Sequence, residues 1–307
     1  MAINTKVVKN RIKSVKNTKK ITKAMQMIAA VKMRKAVQSA VNTRSYASIA
    51  RDLMENLESV SDLQHPFVQK REVKKILLII ITSNRGLCGN YNSAVLRKAY
   101  KLITTNDYEY DVLAIGKKAA NFAKRNGLNI IGIYDRMSEN PNYTDVLPIA
   151  QTSMDTYADK TYDDVSILYT NYISGLIQEV KLRQLLPISH EEILKMIDEL
   201  GAEGHIQETE KEIKESKSDF ESTYYEFEPN KGELLKYILP MLIEIQIFQA
   251  ILESTASEHS SRMIAMKNAT DSAGEMIDEL TLEFNKGRQA AITQEVAEIN
   301  AGANALS

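Results

Sequence analysis

The stretch SRMIAMKNATDSAGEMIDELTLEF, residues 261–284, decides the fold. Its small and apolar residues recur at alternating steps of three and four, which is the spacing of a coiled-coil seam: Met263, Met266, Thr270, Ala273, Ile277, Leu280 and Phe284. The same helical pattern runs from about Lys231 to the C-terminus, and after its first turns only three isolated glycines interrupt it. About 70 residues at 1.5 Å each make a rod about 100 Å long, which no compact domain buries. The rod therefore needs a partner helix or an outside partner.

A second long helix is predicted from about Lys6 to Val60, because no proline or glycine occurs before Pro66. Its apolar positions recur every three or four residues in three groups whose phase drifts, so that the predicted stripe winds around the helix: Val8, Ile12, Val15, Ile21, Met25, Ile28, Met33, Ala36 and Ala40. We expect the two terminal helices to pack antiparallel as a long coiled coil.

The C-terminal helix is predicted to be the longer of the two, so its turns beyond about Arg288 project past the partner. Those turns read as small and polar, as in Gln289, Ala290, Thr293 and Gln294. An end without bulky anchors suits a surface that slides or is loosely enclosed.

Between the two helices, apolar β-branched runs alternate with helical patterns, which is typical of a Rossmann-like parallel α/β domain. The predicted strands are Val73–Thr82, Tyr110–Ile115, Asn129–Tyr134 and Val165–Asn171, and another apolar stretch covers Glu179–Leu186. The predicted helices end near Thr104 or span Lys117–Asn126 and Ile149–Lys160. The predicted division of the chain is 1–62 for the first helix, 73–188 for the α/β domain, 189–222 for an acidic Glu/Lys-rich insert and 230–307 for the last helix.

The net charge of −1 hides a strong polarity along the chain. Residues 1–51 carry thirteen Lys and Arg and no acidic residue, and Asp52 is the first acid. A basic arm of this kind implies an acidic partner. Either its apolar stripe packs on the C-terminal helix and the lysines form a solvated face, or the arm binds nucleic acid. Against nucleic acid, no aromatic side chain that would stack on bases occurs before Tyr46.

The turn after the first strand, Ser83 to Asn90, holds Gly86 and Gly89 where a dinucleotide enzyme binds phosphate. The first two glycines of that fingerprint are missing, and so is the lysine of a P-loop. A tight turn before a helix is the simpler interpretation, and Cys88 is expected to be a small buried side chain rather than a nucleophile. The four histidines lie elsewhere, in contexts that read as helix ends or exposed segments: His65, His190, His205 and His259. We predict no catalytic triad, metal site or cofactor.

Cysteine usage and hydropathy limit the cellular compartments in which the protein can be expected. Cys88 is the single cysteine, so no internal disulfide forms and a reducing compartment is favoured. The N-terminus is too charged for a secretory signal peptide. It resembles an organelle transit peptide in being basic and free of acidic residues, but it lacks a clear presequence break and runs straight into a well-patterned helix, so no transit peptide is expected. No membrane span is predicted, since the nearest window, Leu234–Leu252, contains two charged residues and a proline.

The chain resembles one protein family along almost its whole length, and three segments carry the resemblance. The first is IKSVKNTKKITKAMQMIAA at residues 12–30, followed by KMRK at 32–35. The second is TSNRGLCGNYN at 82–92. The third begins at Glu258 and contains RM at 262–263, AMKNAT at 265–270 and NKGRQAAITQE at 285–295. These segments resemble the gamma subunit of F-type ATP synthase.

The resemblance implies a central rotor shaft that couples proton-driven rotation of the c-ring to ATP synthesis in a head of alpha and beta subunits. It implies no catalytic site, no cofactor and no nucleic acid, with the α/β domain as a foot that binds the epsilon subunit and the c-ring. By motif position, the residues expected to face the head are Met25, Lys32, Arg34, Lys35, Arg288, Gln289, Thr293, Gln294 and Glu295. Those expected to face the c-ring or epsilon are Tyr225, Phe227 and Glu228.

Two residues depart from the family pattern. Asn84 stands where aspartate is usual, and Asn90 stands where glycine is common. The paired regulatory cysteines of the chloroplast form are missing, so no thiol switch is expected. Because no transit peptide is expected, the setting implied for a member of this family is a bacterial plasma (inner) membrane, with the protein as a peripheral part of the complex on the cytoplasmic side.

Overall fold

The computed structural model describes residues 5–57, 65–135, 137, 141–188 and 231–306. Helices α1 and α5 bracket an α/β region: α1 (Thr5–Leu57), β1 (Lys75–Ile81), α2 (Tyr91–Thr105), β2 (Glu109–Ile115), α3 (Lys117–Arg125), β3 (Asn129–Tyr134), α4 (Tyr143–Ala158), β4 (Asp164–Tyr172), β5 (Gln178–Leu186) and α5 (Lys231–Leu306). The predicted fold class, terminal helices that pair antiparallel plus a Rossmann-like α/β sheet, is confirmed.

The chain divides into two packing units that both helices enter. The first, called the helix-pair unit, contains Met1–Val31 and Arg262–Ser307, and the second, called the α/β unit, contains Lys32–Ser261. The four-part division made from the sequence stays a prediction, and its acidic insert, 189–222, lies outside the described residues.

In the helix-pair unit, α1 and α5 are antiparallel, because residues earlier in α1 contact residues later in α5. Thr22 of α1 accepts a hydrogen bond from Thr270 of α5 at 2.8 Å. Lys19, three residues earlier in α1, lies against Gly274, four residues later in α5. The predicted α5 seam is confirmed, because each of its seven residues is buried or half-buried.

The predicted stripe on α1 is wrong at two positions. Ile21 and Ile28 are exposed, and Thr22 and Ala29 are buried in their place. The buried positions Val8, Thr22 and Ala29 keep one heptad phase, so no drift occurs in this unit. The apolar pattern predicted the wrong buried row on α1, because the buried seam contains small and polar residues whereas the exposed face contains isoleucine.

In the α/β unit, the sheet has the order β3-β2-β1-β4-β5. The first four strands are parallel, and β5 pairs antiparallel with β4 at the edge. Helices α2 and α3 cover one face of the sheet. Helix α4 and the part of α5 from Leu239 to Ile251 cover the other. Because β1 is covered on both faces, six of its seven residues are buried.

Helix α4 starts earlier than predicted. It begins at Tyr143, and Pro148 lies inside it. The Asp145 carboxylate accepts the backbone N–H of Asn142 at 3.3 Å, which caps the helix one turn before the proline.

Helix α5 contains an 18-residue window with the hydropathy of a membrane span, although no such window was expected from the sequence. Of that window, 72% is buried inside the protein. Its apolar residues form the core against α4 and the sheet, as Leu242, Ile243 and Ile247 do. The apolar run therefore serves the core of the α/β unit.

Candidate functional site

The residues predicted to face a partner fall in both units. In the helix-pair unit, Met25 is half-buried, whereas Arg288, Gln289, Thr293, Gln294 and Glu295 are exposed. In the α/β unit, Lys32, Arg34 and Lys35 are exposed on α1, and Lys32 and Lys35 line a cavity of about 290 Å³ together with His259. Tyr225, Phe227 and Glu228 lie outside the described residues. The role of each of these residues stays a prediction.

A groove of about 1300 Å³ follows α1 in the helix-pair unit. Six lysines line it, and they define the lysine face: Lys9, Lys13, Lys16, Lys19, Lys20 and Lys23. In the described part of the chain, no carboxylate lies within 4 Å of any of these ammonium groups. Six unneutralised charges along about four helical turns attract an acidic surface and steer its approach.

An apolar row lies beside the lysine face. Ile21, Met27, Ile28 and Val31 are each more than half exposed. Large apolar side chains held in water on one face of a helix are typical of an interaction surface. Sequence analysis missed this row because it placed Ile21 and Ile28 in the buried stripe. The signal was present, since the heptad that starts at Val8 leaves both isoleucines outside the seam.

The last described turns of α5 are exposed at every residue from Arg288 to Ala301. Among the residues of α5 whose burial is described, which end at Ala301, Gly287 is the last buried one. The expectation that this end lacks bulky anchors is wrong, because Ile292, Val296 and Ile299 are each more than half exposed. Their spacing of four and three puts them on one face of the helix. The end of α5 therefore offers an apolar row to a partner.

In an open α/β sheet, ligands bind outside the carboxyl ends of the strands where the strand order reverses. Here that switch point lies between β1 and β4. Helix α5 occupies it: Ser254 Oγ and the Tyr91 hydroxyl at the start of α2 are 2.7 Å apart. Ser257 Oγ donates to the Thr170 carbonyl near the end of β4 at 3.2 Å. The crevice that a dinucleotide would need is thus filled by a packed helix.

The glycine turn uses its own polar groups for structure. The Asn92 Oδ1 accepts the Ser83 N–H at 3.0 Å, and Asn92 Nδ2 lies 3.1 Å from the Cys88 sulfur. Asn84 accepts the Lys117 N–H at 3.0 Å and donates to the Asp135 carbonyl. Cys88 is buried, as expected, and its turn leads directly into α2. Asn84 therefore ties β1 to the start of α3.

Among the described histidines, the expectation of helix ends or exposed segments fails at His259. It is buried in the middle of α5, whereas His65 is half-buried in the segment before β1. Burial, followed by the charge of Lys236, lowers the pKa of His65. His190 and His205 lie outside the described residues. No cluster of three or more potential metal ligands occurs in the part of the chain that the structure describes.

A cluster of paired titratable groups lies at the opposite, amino end of the sheet. Burial raises the pKa of the Asp111 carboxyl, but hydrogen bonds from Tyr162, Lys75 and Asn129 outweigh it, so the pKa is lowered overall. Burial and then the bond to Asp111 raise the pKa of Tyr162. The Tyr162 hydroxyl donates to Asp111 at 2.8 Å and the Lys75 ammonium lies 3.1 Å from it. Every member is thus paired within the sheet, as in a structural ion pair.

Comparisons with known proteins identify the same architecture. A family model described as ATP synthase matches residues 4–306. A chain from the central stalk and c-ring of the Tetrahymena thermophila mitochondrial ATP synthase is 27% identical, with a TM-score of 0.59, over 81% of this chain and 99% of that chain.

Two structures of the Euglena gracilis mitochondrial ATP synthase also share the fold. One, of the rotor, is 18% identical with a TM-score of 0.60 and covers 94% of this chain and 98% of that chain. The other, containing OSCP, F1 and the c-ring, is 18% identical with a TM-score of 0.64 and covers 98% and 94%. At this identity the two show the fold alone.

Proposed function

Because the chain belongs to the ATP synthase family, as a gamma subunit, and is a central rotor shaft, we propose that it transmits rotation without a catalytic site of its own. The observation that carries this proposal is the position of α5 in the α/β unit. Its Ser254 and Ser257 fill the switch point at which an α/β enzyme of this topology binds its ligand. ATP is then made and hydrolysed by other subunits of the complex.

The partner of the helix-pair unit is the head of alpha and beta subunits. The lysine face supplies long-range attraction to acidic loops, and the apolar rows of α1 and α5 supply close contact. Met25 and the residues from Arg288 to Glu295 lie in the same unit as these surfaces. Contact with the head is therefore proposed for them and, by motif position alone, for Lys32, Arg34 and Lys35.

The remaining partners and the location follow from the resemblance. We assign the epsilon subunit and the c-ring to the foot, with Tyr225, Phe227 and Glu228 toward them. Proton-driven rotation of the ring turns the shaft, and the shaft drives the head through its states. The complex is placed in a bacterial plasma membrane with this chain on the cytoplasmic side.

Reconstitution tests the proposal. Purified alpha and beta subunits from the same source are assayed for complex formation and ATP hydrolysis, once with this chain and once without it. The isolated chain is assayed for ATP hydrolysis as a third sample. We expect a stable complex with strongly raised turnover and no hydrolysis by the chain alone. Hydrolysis by the isolated chain, or no association while the chain is folded, would overturn the proposal.

A matched variant sharpens the test. In it, Ile292, Val296 and Ile299 are all replaced by Ser, which leaves the fold intact because these side chains are exposed. The variant is expected to bind the head more weakly than the native chain. Equal binding would remove the α5 row from the proposed interface.

A further inference from the structure

The cavity of about 290 Å³ in the α/β unit lies between α1 and α5. We call it the interhelix cavity. Its described lining residues come from α1, from the segment before α4 and from α5: Lys32, Lys35, Ala36, Ser39, Pro141, Leu252, Thr255 and His259. None of these described residues is acidic, so the cavity carries a positive charge.

Two lysines supply that charge from one face of α1. Lys32 and Lys35 are three positions apart, so their side chains are neighbours on the helix surface. In the part of the chain that the structure describes, no carboxylate lies within 4 Å of the Lys32 ammonium. Like charges one turn apart on a helix repel each other. An anion held between the two ammonium groups removes this repulsion.

The wall on α5 keeps much of the cavity away from bulk water. Leu252, Thr255 and His259 are each buried, and so is Ala36 on α1. The Thr255 hydroxyl donates to the Ile251 carbonyl of its own helix at 2.7 Å, which fixes this part of the wall. An ammonium group attracts an anion more strongly beside such a wall than in open water, because the effective dielectric constant is lower.

Both sides of the cavity offer hydrogen-bond donors. The ammonium groups and the Ser39 hydroxyl come from α1, and the imidazole of His259 comes from α5. Each ammonium group carries three donors, a hydroxyl carries one, and an imidazole carries at least one N–H. An ion with several acceptor oxygens can therefore be held from two helices at once, through charge-assisted hydrogen bonds.

The size and lining of the cavity favour a small ion over a nucleotide. At about 30 Å³ for each water molecule, the cavity has room for about ten waters. A tetrahedral oxyanion therefore fits together with part of its hydration shell. No aromatic side chain that would stack on a base occurs among the described lining residues apart from the imidazole of His259.

We propose that the interhelix cavity binds inorganic phosphate, with the ammonium groups of Lys32 and Lys35 as its principal ligands. The bound ion bridges α1 and α5 within the α/β unit. Lys32 and Lys35 are also proposed to contact the head, so the binding of phosphate is measured on the full chain before assembly. The role as a shaft requires no phosphate on this chain, so the two proposals fail independently.

Equilibrium dialysis of radioactive orthophosphate against the purified full chain tests the proposal. We expect saturable binding of one phosphate per chain at constant ionic strength. Replacing both lysines, with Lys32→Gln and Lys35→Gln, is expected to weaken binding at least about tenfold, because two charge-assisted contacts are lost. These side chains are exposed, so the variant is expected to fold.

A matched double variant controls for net charge. Lys101 on α2 and Lys124 on α3 are exposed and do not line the cavity. Lys101→Gln with Lys124→Gln removes the same charge and is expected to change phosphate affinity less than about twofold. An equal loss of affinity in both double variants, or binding that never saturates, would show an adventitious ion only and would overturn the proposal.

Two further arms identify the ligand and its effect. ATP is added as a competitor at the same concentration as phosphate, and we expect phosphate to remain bound. Displacement by ATP would overturn the assignment to free phosphate. Saturating phosphate is also expected to raise the melting temperature of the native chain but not of the Lys32/Lys35 variant, since a ligand that binds only the folded state stabilises it. An equal rise in both would overturn the assignment to this cavity.

Discussion

Replacing Gly116 by Ala tests the packing that joins the first two strands to α3. Gly116 is the residue before α3 and has φ 90° and ψ 150°. A Cβ there would lie 2.2 Å from the Thr82 carbonyl oxygen and 3.0 Å from its hydroxyl. Thr82 has little freedom to move, because its N–H donates to Ile115 at 2.9 Å and its hydroxyl accepts the Ala119 N–H at 2.8 Å.

The cost follows from two terms. Holding a non-glycine residue at this backbone conformation costs about 2 kcal/mol. Relieving the overlap shifts Thr82 and weakens at least one buried hydrogen bond, which adds about 2 kcal/mol. We therefore expect Gly116→Ala to lower the free energy of unfolding of the α/β unit by about 4 kcal/mol.

Two other glycines separate these terms. Gly127 has φ 67° with no atom within 4 Å of an added Cβ, so Gly127→Ala carries the backbone cost alone, about 1 kcal/mol. Gly86 has open space and no positive φ, so Gly86→Ala is expected to change stability by less than about 0.5 kcal/mol.

Urea unfolding measures the series. The chain has 14 Tyr and no Trp, so tyrosine fluorescence reports the transition. The midpoints are compared at equal slopes, since a changed slope would indicate a changed mechanism of unfolding. If Gly116→Ala costs no more than Gly127→Ala, the close approach of Thr82 does not hold these strands to α3, and the packing argument is refuted.

Three further predictions concern the shaft surface and the sheet. Met25→Lys is expected to impair coupling between ATP hydrolysis and proton pumping in inverted vesicles with little effect on assembly, because it adds a cation at a position of α1 proposed to face the head; unchanged pumping at an equal ATPase rate would count against it. Removing three charges of the lysine face, with Lys13→Ala, Lys16→Ala and Lys20→Ala, is expected to slow association with the head about tenfold at low salt and hardly at all at about 0.5 M KCl; rates measured across salt check this, and a salt-independent effect would contradict it. Because the folded-state pKa of Asp111 is lowered, its contribution is present above the unfolded pKa and is lost as the pH falls through the folded value. The stability difference between native chain and Asp111→Asn should therefore shrink below about pH 4, and acid titration of urea midpoints would show a constant difference if this is wrong.

The sequence predicted the long elements well because their periodicity extends over many residues. The strand Asn129–Tyr134 was predicted with the bounds that the structure has. Errors arose where one local interaction overrode a general rule. Pro148 was taken as a helix boundary, but the cap formed by Asp145 starts α4 at Tyr143, six residues before the predicted start at Ile149.

The antiparallel edge strand could have been foreseen from loop length. Only five residues separate Tyr172 of β4 from Gln178 of β5. A crossover between parallel strands needs about a dozen residues or more. A connection of five residues therefore fits a hairpin between antiparallel strands. The alternation of strands and helices does not apply to β5, because α4 connects β3 to β4 and no helix lies between β4 and β5.

The surface of the shaft was harder to predict than its seam. Heptad spacing identifies which residues repeat, but not which of two neighbouring rows faces the partner helix. On α1, the row with isoleucine is exposed and the row with Thr22 and Ala29 is buried. Small seam residues let two helices approach closely, so the rule that the most apolar row is buried fails here. The exposed apolar row on α1 was missed for this reason.

The serines of α5 join the fold to the function. Ser254 and Ser257 bring α5 against the ends of the sheet, and Ser260 holds the tip of the β4–β5 hairpin through the Gly175 carbonyl. Small hydroxyl side chains allow this approach and satisfy the polar groups exposed at strand ends. Larger apolar residues would hold the helix away and leave those groups unpaired. The contacts that fill the ligand-binding position of the α/β unit therefore also fasten this unit to α5. Torque on the α/β unit is passed to α5 through the switch point, where an α/β enzyme binds its substrate.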